Sequence, residues 1–245
     1  MKKSTYILIG FIAFLALAAF IAPPLLFKKS DNNYFLTNSE KYTTTATAPF
    51  SYMAIESKWL AGDKPEIILK MTADSVPSVE LNDTWKEFSE ISVKGDSLLI
   101  QLKATDENES YFGRLDSKGM PVAVINIPAD SLCIKLNRDH DYVFEGINGR
   151  VALKGDGKAE FKKSSLRALT IYGNVFVSLA DSTTISSVVA KDRFELATDS
   201  TSCVDDIYLQ MVKSAKLQKA NFKQIHLDDY ETELSLNTPA TIIKE

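Results

Sequence analysis

Leu166-Arg167-Ala168-Leu169-Thr170-Ile171 recurs as Ile185-Ser186-Ser187-Val188-Val189-Ala190 and again as Val204-Asp205-Asp206-Ile207-Tyr208-Leu209. Each copy is apolar at its first, fourth and sixth positions, and successive copies start 19 residues apart. The last two apolar positions are spaced i, i+2, so both side chains leave the same face of an extended strand. Worked outward, Leu132, Val151, Leu169, Val188, Ile207 and Ile225 form one column. Ile134, Leu153, Ile171, Ala190, Leu209 and Leu227 form a second, and both climb by 18 or 19 residues per step. Leu166, Ile185, Val204 and Phe222 make a third. A constant step of this length stacks equivalent strands in register, which is how a solenoid is built. The expected fold is all-β, a single-stranded parallel β-helix (β-solenoid) of about 18–20 residues per coil.

Each coil also carries a second strand. Val175 and Val177 follow Ile171 as Phe194 and Leu196 follow Ala190, whereas Ala215/Leu217 and Leu234/Leu236 come slightly later, as a longer corner turn requires. Turn residues fall between these runs, at Gly146-Ile147-Asn148-Gly149, Gly155-Asp156-Gly157, Gly173-Asn174 and Asp181-Ser182. Residues 131–245 therefore read as regular coils. Residues 46–130 hold short β-type runs such as Ile67-Ile68-Leu69 and Leu98-Leu99-Ile100 without the period. They are expected to form irregular early coils or a cap over the solenoid's end, and to carry any unique surface. Tyr52, Trp59, Trp85 and Phe88 lie in this third, where aromatics plug a core end more readily than they bind sugars.

The amino terminus reads differently. After a five-residue tail (1–5) comes an uncharged apolar run, 6–27, closed by Lys28-Lys29. As a helix it would extend about 33 Å, enough for a bilayer core. Phe20 and Pro23 flank the best cleavage position unfavourably, and no cysteine follows for lipidation, so an uncleaved single-pass anchor is expected. Residues 28–45, rich in Asn, Ser and Thr, read as a polar stalk. The body is expected in the periplasm, with the anchor in a bacterial inner membrane.

Composition narrows the partners. The 245-residue chain has a net charge of −4, and without Lys2, Lys3, Lys28 and Lys29 it holds 24 basic against 32 acidic residues. Such an acidic body is unsuited to nucleic acid or to an anionic membrane surface. Cys133 and Cys203, the only cysteines, lie more than three coils apart, beyond disulfide reach.

Candidate chemistry is sparse. Asp205-Asp206 and Asp228-Asp229 fall at different places around the coil, so no glycosidase-like carboxylate pair assembles. Asn137-Arg138-Asp139-His140-Asp141 gathers metal-type donors, but Arg138 sits among them and no glycine shapes a cradle; a polar turn is expected. His226 should point outward, between inward Ile225 and Leu227. Gly155-Asp156-Gly157-Lys158 lacks the pattern of a phosphate loop. No catalytic residue, cofactor or metal site is expected. Lys213, Lys216, Lys219 and Lys223 lie close in sequence and could line a basic edge for acidic glycans, although a solvated rim is the simpler account. Ser75, Ser97, Ser131, Ser182 and Ser200 each follow an aspartate, a pattern that suits O-glycosylation and equally suits a turn opening a strand.

The phrase Ile91-Ser92-Val93-Lys94-Gly95-Asp96-Ser97-Leu98-Leu99-Ile100 and the ladder after it, with Gly146-Ile147-Asn148 before Val151 and Leu169-Thr170-Ile171-Tyr172-Gly173-Asn174-Val175, resemble the auto-transporter adhesin head (GIN) domain family of Bacteroides-like bacteria over about 46–245. The resemblance implies a right-handed parallel β-helix, a scaffold like that of pectate lyases without their catalytic residues, and a role in adhesion. The expected function is non-catalytic: a membrane-anchored binding, adhesion or scaffold module, whose partner is a protein or glycan of the cell envelope. The alternatives are a glycan-processing enzyme on a β-helix and a periplasmic sensor or regulator.

Overall fold

Branched apolar residues at alternate positions give each strand one buried face, and the fixed step lays those strands over one another. The computed structural model describes residues 35–244 except 59–60, 63, 72–75, 104–113, 118, 128–129, 220, 229–231 and 238–240. From residue 131 the chain winds through six coils. Each coil lays one strand on each of two faces, so the solenoid is two-sided. Face I runs through Ser131–Leu136, Asn148–Gly155, Ser165–Tyr172, the first halves of Thr184–Thr198 and Cys203–Gln218, and Phe222–Leu227. Face II runs through Asp141–Glu145, Gly157–Lys162, Val175–Ala180, the second halves of the two long strands, and Glu233–Leu236. Every neighbouring pair in these coils is parallel.

The register is the one the columns require. Leu132 lies opposite Val151, then Leu169, Val188, Ile207 and Ile225 follow in turn. Ala215 and Leu217 lie opposite Phe194 and Leu196 despite the slip in sequence, because the strand register shifts around Asp192. Asp192 and Met211 hold φ at 83° and 53° at this corner, continuing a column begun by Gly155 and Gly173. At Gly173 (φ 117°) a Cβ would stand 2.2 Å from the Gly155 carbonyl oxygen, so the coils can approach only because the side chain is absent.

The core between the faces is apolar, with Phe144 stacked on Phe161 at 4.4 Å. One polar column runs through it at the opposite corner. The Ile147 N–H donates to Ser164 Oγ (3.0 Å), the Ser164 N–H to Thr183 Oγ1 (3.3 Å), and the Thr183 N–H to Ser202 Oγ (3.1 Å). All three hydroxyl residues are buried. Hydroxyls here satisfy backbone donors that the turn takes out of the sheet ladder.

The aperiodic third is both coil and cap. Tyr52–Lys58 pairs in parallel with Ser131–Leu136, and Glu66–Met71 with Asp141–Glu145, extending the stack by one coil. Beyond it lie Ser97–Lys103 and Ala123–Ile127, again parallel, so the chain has doubled back past its own first coil. Antiparallel strands then close both faces: Ser89–Lys94 on Ser97–Lys103, Ser78–Asn82 on Ala123–Ile127, and Tyr42–Ala46 on Ser78–Asn82. The 3-10 helix Asp83–Phe88 links the two closing strands across the end of the stack. Its Trp85 is fully buried and donates Nε1–H to Asn38 Oδ1 at 3.0 Å. A separate parallel sheet joins Phe35–Thr37, Arg114–Asp116 and Ala61–Gly62.

Each coil carries two strands on two faces, the second formed by the second apolar run of each repeat. One expectation changes. The described part of the polar stretch 28–45 is integrated rather than free, since Phe35–Thr37 and Tyr42–Ala46 pair in sheets and the Tyr42 hydroxyl donates to the Pro121 carbonyl at 2.8 Å. The tail 1–5 and the apolar run 6–27 lie outside the described residues. Among the described residues no helix is long and apolar enough to cross a membrane.

Candidate functional site

In parallel coils, residues one step apart stand on the same side about 4.8 Å from one another, so any site on the regular coils is a column or a corner. The carboxylates do not converge. Asp205 pairs with Lys223 (2.8 Å), and Asp206 lies 3.6 Å from His226 Nε2. Asp228, beyond the other end of the adjacent strand, donates its N–H to the Leu209 carbonyl (3.3 Å); Asp229 is outside the described residues. His226 is on the outer surface as expected and stacks on Tyr208 at 4.3 Å. The Asp205 carboxylate raises the Lys223 pKa by hydrogen bonding. Among the described residues no group of three His, Cys, Asp or Glu side chains is placed to hold a metal ion.

The basic-edge expectation is corrected. Lys213 to Lys223 spans more than half of one coil, so these lysines are distributed around it. Lys213 follows the corner at Met211, Lys216 is on face II, Lys219 is at the opposite corner, and Lys223 is on face I. Lys216 is paired with Glu195 at 3.0 Å and Lys223 with Asp205. Proximity in sequence and proximity in space part company once the chain winds.

Residues 137–141 do form a turn. The Asn137 side chain accepts from the Asp139 N–H (3.1 Å), Arg138 pairs with Asp156 (2.7 Å), and the Lys64 ammonium donates to the Arg138 carbonyl (2.8 Å). His140, by contrast, is fully buried, edge-on to Tyr142 at 5.9 Å between ring centres, with no hydrogen bond to either ring nitrogen. Burial pushes its pKa down from 6.5 to about 4, and burial likewise raises that of Tyr142. Gly155-Asp156-Gly157-Lys158 is a corner: Asp156 accepts from the Asn174 N–H at 3.1 Å and pairs with Arg138.

Of the candidate glycosylation sites, Ser131, Ser182 and Ser200 are exposed, Ser97 is half-buried, and Ser75 is outside the described residues. The preceding aspartates have structural work. Asp199 accepts from the N–H groups of Ser202 (2.8 Å), Asp181 (2.9 Å) and Thr201 (3.0 Å); hydrogen bonding, from the Ser202 side chain foremost and then from the Asp181 N–H and the Thr201 hydroxyl and N–H, brings its pKa down to about 2. Asp130 pairs with Arg167 (2.9 Å), and Asp96 accepts from the Ser51 hydroxyl (2.8 Å). Cys133 and Cys203 are free thiols.

The two outer faces differ in charge. Face II interleaves both signs, with Lys162–Glu160 (3.1 Å), Lys70–Glu145 (3.1 Å) and Lys216–Glu195 (3.0 Å) paired across it. Face I, over 131–191, carries basic side chains and no carboxylate.

No family model matches the chain, and no curated protein does. Among solved structures it is similar to a protein of Parabacteroides distasonis provisionally named as lipid binding, at 13% identity and a TM-score of 0.41, covering 86% of this chain and 96% of that one. It is also similar to a provisionally named adhesin of Bacteroides fragilis, at 14% identity and a TM-score of 0.36, covering 85% and 99%. A second provisionally named adhesin, of Parabacteroides merdae, gives 11% and 0.37, covering 86% and 98%. Likeness at this level carries no argument about function.

Proposed function

We propose that the chain is a non-catalytic binding module of the cell envelope, a right-handed solenoid held at a bacterial inner membrane by residues 6–27. Its body lies in the periplasm and engages an extended protein or glycan along an outer face. The observation that supports this most is the segregation of charge, with ion pairs across face II and basic groups alone over much of face I. A carbohydrate-cleaving site would need facing carboxylates, and Asp205 and Asp206 instead neighbour Lys223 and His226.

The anchored topology is tested by adding protease to intact cells, to spheroplasts and to lysed cells expressing the full chain. The body should be cut once the outer membrane is opened and should stay with the membrane after an alkaline wash. Cleavage only on lysis, or recovery of the body in the soluble fraction, overturns the topology. Release of new reducing ends from an envelope glycan overturns the non-catalytic role.

A further inference from the structure

On the outer surface of face I, coils one to four present Lys135, Arg150, Lys154, Arg167 and Lys191. Arg167 is paired with Asp130 at the rim. Among the described residues the other four have no ion pair. Lys135 lies opposite Lys154, Lys154 opposite Tyr172, and Tyr172 opposite Lys191. Like charges directly opposite one another on adjacent strands repel, so the Lys135–Lys154 step weakens the bare sheet. The Tyr172 ring, 40% exposed, sits between two ammonium groups, with Lys154 Nζ 6.0 Å and Lys191 Nζ 5.5 Å from its centre. Beside this row runs a flat floor of small side chains, Cys133, Ala152, Thr170 and Val189. The ion pairs across face II show that the coil repeat does not by itself produce a face of one sign.

We propose that this strip binds a linear acidic polysaccharide lying along the solenoid axis, with a sugar ring on Tyr172 and acid groups at Lys154 and Lys191; this rests on the binding-module function above. Two coil steps separate those lysines by about 9.6 Å, and a β-linked polymer with one carboxylate per disaccharide repeats its charge at a comparable interval. Nucleic acid fits less well. Duplex DNA carries about one charge per 1.7 Å and would run from the strip onto Asp205 and Asp206 of the next coil. Single-stranded nucleic acid favours a series of stacking platforms, and the Lys135–Lys191 row supplies one ring. A bilayer surface is also a poorer match, because Tyr172 alone offers an exposed large apolar side chain in that row to enter the interface.

The test titrates the full chain in detergent micelles with a fluorescent hyaluronan decasaccharide, its carboxyl-reduced form, a twelve-residue oligothymidylate, and phosphatidylglycerol vesicles. Hyaluronan should bind saturably, and the carboxyl-reduced form about tenfold more weakly. The double variant Lys154→Gln/Lys191→Gln should lose about tenfold in affinity. Tyr172→Ala should lose about fivefold, Tyr172→Phe should keep wild-type affinity, and Lys216→Gln on face II should change nothing. Far-ultraviolet circular dichroism and the melting temperature confirm that each variant folds. Absent hyaluronan binding, equal or tighter binding of oligothymidylate or vesicles, or binding indifferent to the strip variants overturns the proposal. An envelope glycan that binds indifferently to those variants removes the strip but leaves the binding-module function. Cleavage of a bound glycan removes that function itself.

Discussion

His140 should make this protein acid-labile in a window where few other groups titrate. The imidazole is fully buried with both nitrogens unbonded, and burial lowers its pKa to about 4. In the unfolded chain it returns to the ordinary 6.5. Between those values the unfolded state binds a proton that the folded state refuses, so stability rises with pH there and falls as pH falls. From pH 7.5 to 4.5 the loss from this residue alone is about 2.5 kcal/mol. Below pH 4 the folded form takes up the proton as well and the loss stops growing. Glu66, whose pKa is raised by burial, works in the opposite direction near the acid end of the window, so a comparison variant is needed. Asp199, held near 2, costs stability only below about 4. His140→Leu keeps roughly the same volume and removes the titration. Because neither ring nitrogen has a partner to lose, the variant should match or exceed wild type at pH 7.5. Guanidinium unfolding of both proteins at half-unit pH intervals should show their stabilities diverging by about 2.5 kcal/mol on going to pH 4.5. Parallel stability curves would refute the reasoning, as would a His140 ring proton that titrates near 6.5 in the native protein by NMR.

Four further outcomes follow from the stack. Val188→Asp puts a carboxylate into a fully buried column and should cost at least about 3 kcal/mol, while Lys191→Gln on the same strand should stay within about 0.5 kcal/mol, both read from chemical denaturation. Gly173→Ala forces a Cβ toward the Gly155 carbonyl and should cost about 2–3 kcal/mol; Gly146→Ala, with φ 67° but nothing within 4 Å, should cost about 1 kcal/mol by the same assay. Thr183→Val removes a buried hydroxyl that donates to the Ala180 carbonyl at 2.7 Å and accepts from Ser164 N–H, and should cost about 1–3 kcal/mol, while exposed Thr184→Val should be close to neutral in thermal melts. Asp199→Asn should leave the melting temperature at pH 7 lower and flatten its dependence on pH below 4, because the group whose low pKa drives that dependence is gone.

The regular coils were legible because one physical requirement, a branched side chain beneath each neighbour, recurs at every step. Leu132 to Ile225 and Ile134 to Leu227 pair as their spacing demands, and the second strands absorb the slip at Asp192 without losing register. The polar column was present in the same arithmetic, since Ser164, Thr183 and Ser202 are also 19 residues apart, but hydroxyl residues near turns are ordinarily read as solvated. His140 was hidden for a similar reason: nothing in a run of Asn, Arg and Asp marks the one side chain that turns inward. The lysines near residue 216 misled in the opposite sense, because a coil of this circumference sends neighbours in sequence to different faces. The strip on face I has its charged members at 135, 154 and 191 with a tyrosine between, and it becomes visible only when the coils are superposed. The reversal before residue 131 leaves no fixed step, since Ser97–Lys103 pairs with Tyr52–Lys58 across an interval that no other pair repeats.

That reversal restricts how such a protein can change length. On the carboxyl side of residue 131 each coil touches only the one before and the one after, so gene duplication of a 19-residue unit can add a coil there and unequal crossing-over can remove one. Before residue 131 the first coil is gripped on both sides by strands that arrive later in the chain. A unit inserted or deleted between 52 and 130 would displace the partner of a strand far away in sequence and part the cap from the stack. Descendants of this chain should therefore differ in coil number at one end only, with the capped end held at constant size.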